Sequence, residues 1–208
     1  MRVITIGILD YGVGNLTSVW NALHTIGYRC HISSEPKQLI NKDILLLPGV
    51  GSFPTAMDSI YKYGLLEFIQ EWSRKGKPLI GICLGMQLLA EFSYEKGKTA
   101  GLGLIPGEVR HLEGLSHHIG WNSIEVLNIN NQEWLNSSHG KVFYFNHAYV
   151  FTTPLEYRSI VSRININSEC FTVGVAMDNI IGFQFHPEKS QDAGIELFHN
   201  TIKELYYA

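Results

Sequence analysis

Pro78-Leu79-Ile80-Gly81-Ile82-Cys83-Leu84-Gly85-Met86-Gln87 is the stretch on which the reading of this chain turns. An apolar run passes straight into a helical pattern, Leu84–Phe92, with no polar spacer, and a cysteine stands at the junction. Glycines lie two positions before it and two after. A strand that turns this sharply into a helix crowds the flanking positions against backbone, which leaves room only for hydrogen at 81 and 85. With cysteine in place of serine in G-x-S-x-G, this is the pattern of a nucleophile elbow. The sulfur projects from the rim of a sheet at a helix N-terminus, where the dipole and unpaired N–H groups favour thiolate over thiol. The N–H of Leu84 can face a developing oxyanion. Taken alone, the same five residues also fit a buried structural cysteine in a glycine-rich turn.

Upstream, apolar runs alternate with helical patterns. Val3–Leu9 reads as a central parallel strand, Tyr28–Ile32 as a second, Ile44–Leu47 as a third and Pro78–Ile82 as a fourth. Between them Leu16, Val19, Trp20, Leu23 and Ile26 fall at helical spacing before Gly27, and Met57–Trp72 is helical with an interruption at Gly64. The order predicts an α/β fold: an open, mostly parallel, doubly wound sheet with helices on both faces. Ligands bind such sheets beyond the carboxyl ends of the strands, which puts Asp10–Asn15, Pro48–Ser52 and Cys83 on one rim. From Gly101 the chain turns rich in Gly, Asn and aromatic residues, with strands expected at Val142–Asn146 and Ile180–His186 and an amphipathic helix at Ala193–Tyr207. This reads as an added β-rich section. No linker or repeat divides the halves, so one domain over 1–208 is expected.

The chain has 208 residues, 45% hydrophobic and 17% charged, with a formal net charge of −3. That is enough for a sizeable core, excludes a disordered chain and offers no basic excess for nucleic acid. No run reaches the roughly 20 apolar residues of a membrane helix, and the N-terminus carries no signal-peptide cleavage pattern. Cys30, Cys83 and Cys170 are widely spaced with no C-x-x-C pair, which disfavours a disulfide framework or zinc ribbon and fits a cytoplasmic protein with reduced thiols. Neither metal nor cofactor is expected.

Among nine histidines, His186 stands out in Gly182-Phe183-Gln184-Phe185-His186-Pro187-Glu188. The two-residue period of a strand puts Gln184, His186 and Glu188 on one side, where the carboxylate can orient the ring and stabilise its protonated form. Alone, this also fits a strand-end histidine beside a solvated glutamate; with Cys83 it makes a candidate Cys-His-Glu triad. Pro48-Gly49-Val50-Gly51-Ser52 ends the third strand, and the glycines flanking Val50 let its N–H turn toward a neighbouring site as a second oxyanion donor. Gly12-Val13-Gly14 lacks the third glycine of a dinucleotide fingerprint, since Thr17 occupies that position. His117-His118 is adjacent rather than i,i+4, and reads as a loop rather than a metal site.

Gly81–Gln87 followed by Phe183–Ser190 resembles the class I, triad-type glutamine amidotransferases. Asp10-Tyr11-Gly12-Val13-Gly14-Asn15-Leu16, Pro48–Phe53 and His118-Ile119-Gly120-Trp121-Asn122 resemble, within that family, the glutaminase subunits of imidazole glycerol phosphate synthase. The resemblance implies hydrolysis of L-glutamine to glutamate and ammonia, and passage of the ammonia to a (β/α)8-barrel cyclase subunit in a heterodimer of histidine biosynthesis. It implies Cys83 as nucleophile, His186 as base and then acid, Glu188 as its orienter, and Val50 and Leu84 as oxyanion donors. Gly49, Gly51, Gln87 and Glu95 fall where the family holds glutamine, a carboxylate at Glu95 suiting the α-ammonium. Asn15, Trp121, Tyr144 and Lys189 match the partner interface and ammonia entrance.

Two stretches depart from the family pattern. Ser116-His117-His118-Ile119 replaces Pro-His-Met, and Asn146-His147-Ala148-Tyr149 replaces Val-His-Ser-Tyr. Both belong to the partner side, so a paralogous subunit supplying ammonia to a surface-polysaccharide sugar amidotransferase is the alternative acceptor reading. A catalytically silent scaffolding subunit and a cysteine peptidase on the same sheet are alternatives of other classes.

Overall fold

Ile44 and Leu46 pack into one hydrophobic cluster while Leu45 and Leu47, from the same strand, pack into another. A strand covered on both faces has no polar side to show, which is why it reads as an unbroken apolar run. The computed structural model describes residues 3–114, 116–127, 132–163 and 170–207; Met1 and Arg2 of the N-terminal stretch lie outside them. Its first half comprises β1 (Thr5–Leu9), α1 (Leu16–Thr25), β2 (Arg29–Ser33), α2 (Pro36–Leu39), β3 (Ile44–Gly49), α3 (Phe53–Lys62), α4 (Leu66–Arg74), β4 (Leu79–Cys83) and α5 (Leu84–Leu88). There follow β5 (Phe92–Ser93), β6 (Thr99–Ala100), β7 (Glu108–His111), β8 (His118–Ser123), β9 (Glu125–Val126), β10 (Val142–His147), β11 (Tyr149–Thr152), β12 (Arg158–Arg163), β13 (Cys170–Met177), β14 (Ile180–Phe183) and α6 (Gln191–Tyr207).

The main sheet has eight strands in the order β2-β1-β3-β4-β14-β13-β12-β9. Pairing is parallel from β2 through to β14 and antiparallel beyond it. The expected fold class is the one observed. The strand order reverses between β1 and β3, so the loops leaving those two strands diverge and open a crevice at their carboxyl ends. One face is covered by α1 and α6, through Val19, Leu23, Leu197, Phe198 and Ile202; the other by α3, α4 and α5, through Met57, Ile60, Ile69 and Met86. A ribbon of β8 and β10 and a four-stranded sheet, β11-β7-β5-β6, make up the β-rich addition.

Several boundaries differ from the sequence expectation. The third helix pattern, Leu84–Phe92, stops at Leu88 rather than Phe92, because Phe92 and Ser93 pair with β6 and β7. The Met57–Trp72 segment is two helices that begin four residues earlier, at Phe53, with proline in the first turn; Gly64, at φ +65°, breaks it. The strand expected to reach His186 ends at Phe183. His118 is not in a loop but opens β8.

Candidate active site

Cys83 ends β4 and immediately precedes α5, with φ 53° and ψ −109°. This sparsely populated backbone costs about 1–3 kcal/mol and persists only where its surroundings over-determine it. They do so here. A Cβ on Gly81 would stand 2.7 Å from the Gly85 carbonyl oxygen, and one on Gly85 would stand 1.9 Å from that of Leu47. The crowding anticipated at both glycines is therefore real. Because α5 spans only five residues, the dipole expected to favour thiolate is short, and the larger local charge is an imidazole.

That imidazole belongs to His186, almost wholly buried, whose backbone N–H donates to the Tyr144 carbonyl at 2.9 Å. Its Nδ1 lies 2.8 Å from Glu188 Oε1. The two do not meet by strand alternation. Pro187 has no N–H to extend a ladder, the chain enters a 3₁₀ turn over Pro187–Lys189, and the turn carries the Glu188 carboxylate back onto the ring. Burial alone would lower the His186 pKa, but hydrogen bonding to Cys83 and Glu188, and their charges, outweigh it and push it up to about 10. Nδ1 thus donates to the carboxylate and the opposite nitrogen serves the sulfur. Glu188 Oε2 is buried with no partner among the described residues.

Cys83 and His186 line one cavity of about 420 Å³ together with Val50, Gly51, Leu84 and Gln87. Glu95 lines it as well; although buried, it spends only Oε2 on the Phe53 N–H, at 2.8 Å, which also satisfies an otherwise unpaired donor at the start of α3. Gly51 adopts φ +111°, a conformation that suits glycine. Gly49 serves by close approach: its would-be Cβ meets the Tyr11 hydroxyl at 2.7 Å and the Gly85 nitrogen at 2.8 Å. A buried cysteine sulfur and an imidazole oriented by a carboxylate, at one cavity, are parts that acyl transfer needs.

Residues 7–205 match the model of the family described as glutamine amidotransferase class-I. The chain belongs to this family. Proteins named imidazole glycerol phosphate synthase subunit HisH are similar over nearly their whole length. That of Halalkalibacterium halodurans is 40% identical over 203 residues, 94% of each chain. That of Caldanaerobacter subterraneus subsp. tengcongensis is 41% identical over 199 residues, 94% of this chain and 96% of its own. Among solved structures, PurLQS from Thermotoga maritima superposes with a TM-score of 0.78 at 17% identity, over 99% of this chain and 100% of that one, a likeness of fold.

In this amidotransferase none of the four residues matched to the partner side lines the cavity; Tyr144 comes nearest, its ring 6.3 Å from that of His186. Trp121 and Tyr144 are cross-strand partners on β8 and β10, their rings 5.7 Å apart, and the Lys189 ammonium stands 5.7 Å from the Tyr144 ring centre. Asn15 caps α1, its side chain accepting from the Ser18 N–H. Other polar contacts at the site were not anticipated from the sequence. His117 Nε2 bonds Asn146 Oδ1 at 2.7 Å beside the cavity, both residues lining it. His118 and His147 bond each other at 3.0 Å. The buried Tyr11 hydroxyl donates to the Pro48 carbonyl. Nothing in local spacing signals such contacts, since they join segments 29 to 37 residues apart. Among the described residues no helix is long and apolar enough to cross a membrane.

Proposed function

We propose that this chain is the ammonia-producing subunit of an imidazole glycerol phosphate synthase. It hydrolyses L-glutamine to glutamate and ammonia, and a (β/α)8-barrel cyclase subunit, its partner in a cytoplasmic heterodimer, consumes the ammonia in forming imidazole glycerol phosphate and aminoimidazole carboxamide ribonucleotide. The whole chain acts as one glutaminase domain, a reading supported by the sheet that runs unbroken from β2 to β9. The observation that carries the proposal is the convergence of Cys83, His186 and Glu188 at one cavity in a chain about 40% identical to subunits of that name.

Cys83, as thiolate, attacks the γ-carbonyl carbon of glutamine, and the oxygen takes up the negative charge facing the N–H groups of Val50 and Leu84. The C–N bond breaks, the nitrogen leaving as ammonia with a proton from His186. Water, giving a proton to His186, then attacks the thioester carbon, releasing glutamate and restoring the thiolate. Glu188 keeps the ring in register throughout. Gly49, Gly51, Gln87 and Glu95 shape the glutamine site, the Glu95 carboxylate meeting the α-ammonium. Asn15, Trp121, Tyr144 and Lys189 face the partner.

Ammonia release from glutamine, measured with and without a histidine-pathway cyclase barrel, tests this. The expected result is hydrolysis that rises on adding the barrel and vanishes in Cys83→Ala while the complex still forms. Hydrolysis retained by Cys83→Ala defeats the assignment. Stimulation only by a surface-sugar amidotransferase would transfer the chain to the paralogous role, and no hydrolysis with either partner would leave a scaffold.

A further inference from the structure

The Tyr149 carbonyl oxygen can only accept hydrogen bonds, and it sets the polarity of everything bonded to it. Gln87 Nε2 lies 3.1 Å from it and 3.0 Å from Gln184 Oε1. An amide oxygen facing that carbonyl would be repelled, so the nitrogen must be the end that faces it, and both its hydrogens are used. Gln184 then presents its oxygen to Gln87, which leaves its own Nε2 for the other side, 3.7 Å from Cys83 Sγ. Turning the Gln184 amide over would oppose two NH₂ groups and point an oxygen at sulfur. Gln184 is fully buried, so no water offsets that loss.

The same carbonyl works in the opposite direction. His147 Nδ1 lies 2.9 Å from it and must therefore carry the proton. Its Nε2 is left as an acceptor, filled by His118 Nδ1 at 3.0 Å. Burial holds the His147 imidazole well down, at about 3, in keeping with a neutral ring of fixed tautomer.

We propose that Gln184 is a further catalytic residue, its amide N–H held against the Cys83 sulfur by the chain Tyr149–Gln87–Gln184 and favouring the thiolate. The role rests on the reading of Cys83 as nucleophile. A donor aimed at sulfur stabilises the charged form and does little for the neutral one. The thiol has its own partner, the Asn146 carbonyl at 3.8 Å, to which only S–H can donate. Thiol and thiolate are thus served by different neighbours, and Gln184 opposes the pull of Asn146. The other titratable groups facing the sulfur or its cavity are Tyr11, His186, Glu95, His117, His147 and Tyr149.

The test is the rate of Cys83 alkylation by iodoacetamide as a function of pH, read at the level of the Cys83 peptide so that Cys30 and Cys170 do not interfere. In Gln184→Met the rate constant at pH 6.5 is expected to fall about tenfold, and the difference from the unaltered protein to shrink as the pH rises toward about 9.5, because the thiolate is the nucleophile. Gln87→Met, which unlocks the Gln184 amide without removing it, is expected to move the profile the same way by less, and it decides the matter if Gln184→Met does not fold. A profile that superimposes on the original, or a loss equal at every pH, overturns the proposal. Iodoacetamide requires no glutamine, so failure of glutamine hydrolysis with the barrel present would sink the functional reading without altering this outcome.

Discussion

Gly49 and Cys83 face each other across β3 and β4 as the last paired residues of two adjoining parallel strands. The Val50 peptide and the Cys83 sulfur therefore leave the sheet at the same height. Sheet register thus brings the Val50 peptide and Cys83 to the same end of the sheet.

Glycine at position 85 is the tightest point of this arrangement, since a Cβ there overlaps the Leu47 carbonyl, an immovable backbone atom. Gly85→Ala is expected to lower the urea midpoint by an amount corresponding to about 1–3 kcal/mol, or to prevent folding. Gly97→Ala, where no atom lies within 4 Å but φ is +115°, serves as a comparison for backbone strain alone and should cost less. Equal midpoints for the two would show that the strand–helix turn can relax.

Tyr11 is fully buried, hydrogen-bonded to the Pro48 carbonyl near the end of β3. Burial beside Cys83 raises its phenol far above the ordinary value, so it acts as a neutral donor. Tyr11→Phe leaves that carbonyl without its partner, at a cost of about 1–3 kcal/mol. Because Pro48 leads into Val50, kcat for glutamine should fall about tenfold with little change in KM. A KM effect without a kcat effect would assign Tyr11 to substrate binding instead.

Much of this was legible from the chain. The glycine pattern around Cys83 reflects local crowding, and crowding between neighbours in sequence is written in the sequence. Continuous apolar strands told of a sheet covered on both faces. The link between His186 and Glu188 was anticipated, but for the wrong geometrical reason: Pro187 folds a turn where the period of two assumed a strand. What could not be read was the polar network, because Gln184, Gln87, Tyr149, His147 and His118 come from four separate segments. An amide's orientation depends on which carbonyl it meets after folding.

Alkaline pH is expected to weaken the fold through His186. Its folded pKa, about 10, lies above the unfolded value of about 6.5. The stabilisation is therefore complete below roughly pH 6.5 and is lost as pH rises through about 10. Urea midpoints measured between pH 6.5 and 10 should decline in the unaltered protein and decline less in Glu188→Gln, which lacks the carboxylate that helps hold the proton. Parallel slopes would mean that Glu188 does not stabilise the imidazolium.

Acid weakens it by the opposite linkage at His147. Burial lowers that imidazole to about 3, so between roughly pH 6.5 and 3 the unfolded chain takes up a proton that the folded one refuses, and stability falls as pH falls. His118, also lowered by burial, adds to the slope. His147→Leu is expected to be less stable at pH 7, having lost its bonds to His118 and Tyr149, yet to show a shallower loss between pH 7 and 5. A slope as steep as the original would place the acid sensitivity elsewhere.

Trp121 is about half exposed, 48%, a costly state for the largest apolar side chain unless something covers it. It leans on Tyr144, whose ring lies 6.3 Å from that of His186, and Ile119 on the same strand is 64% exposed. An aromatic anchor at the centre of a docking face typically contributes 2 kcal/mol or more, roughly a thirtyfold change in Kd. Trp121→Ala should therefore weaken binding to the cyclase barrel by about that factor in titration calorimetry. The Cys83 alkylation rate of the isolated chain should stay unchanged, because no hydrogen bond to the sulfur passes through the indole. Unaltered affinity would move the docking face away from β8, and slowed alkylation would make Trp121 part of the site rather than of the surface that meets a partner.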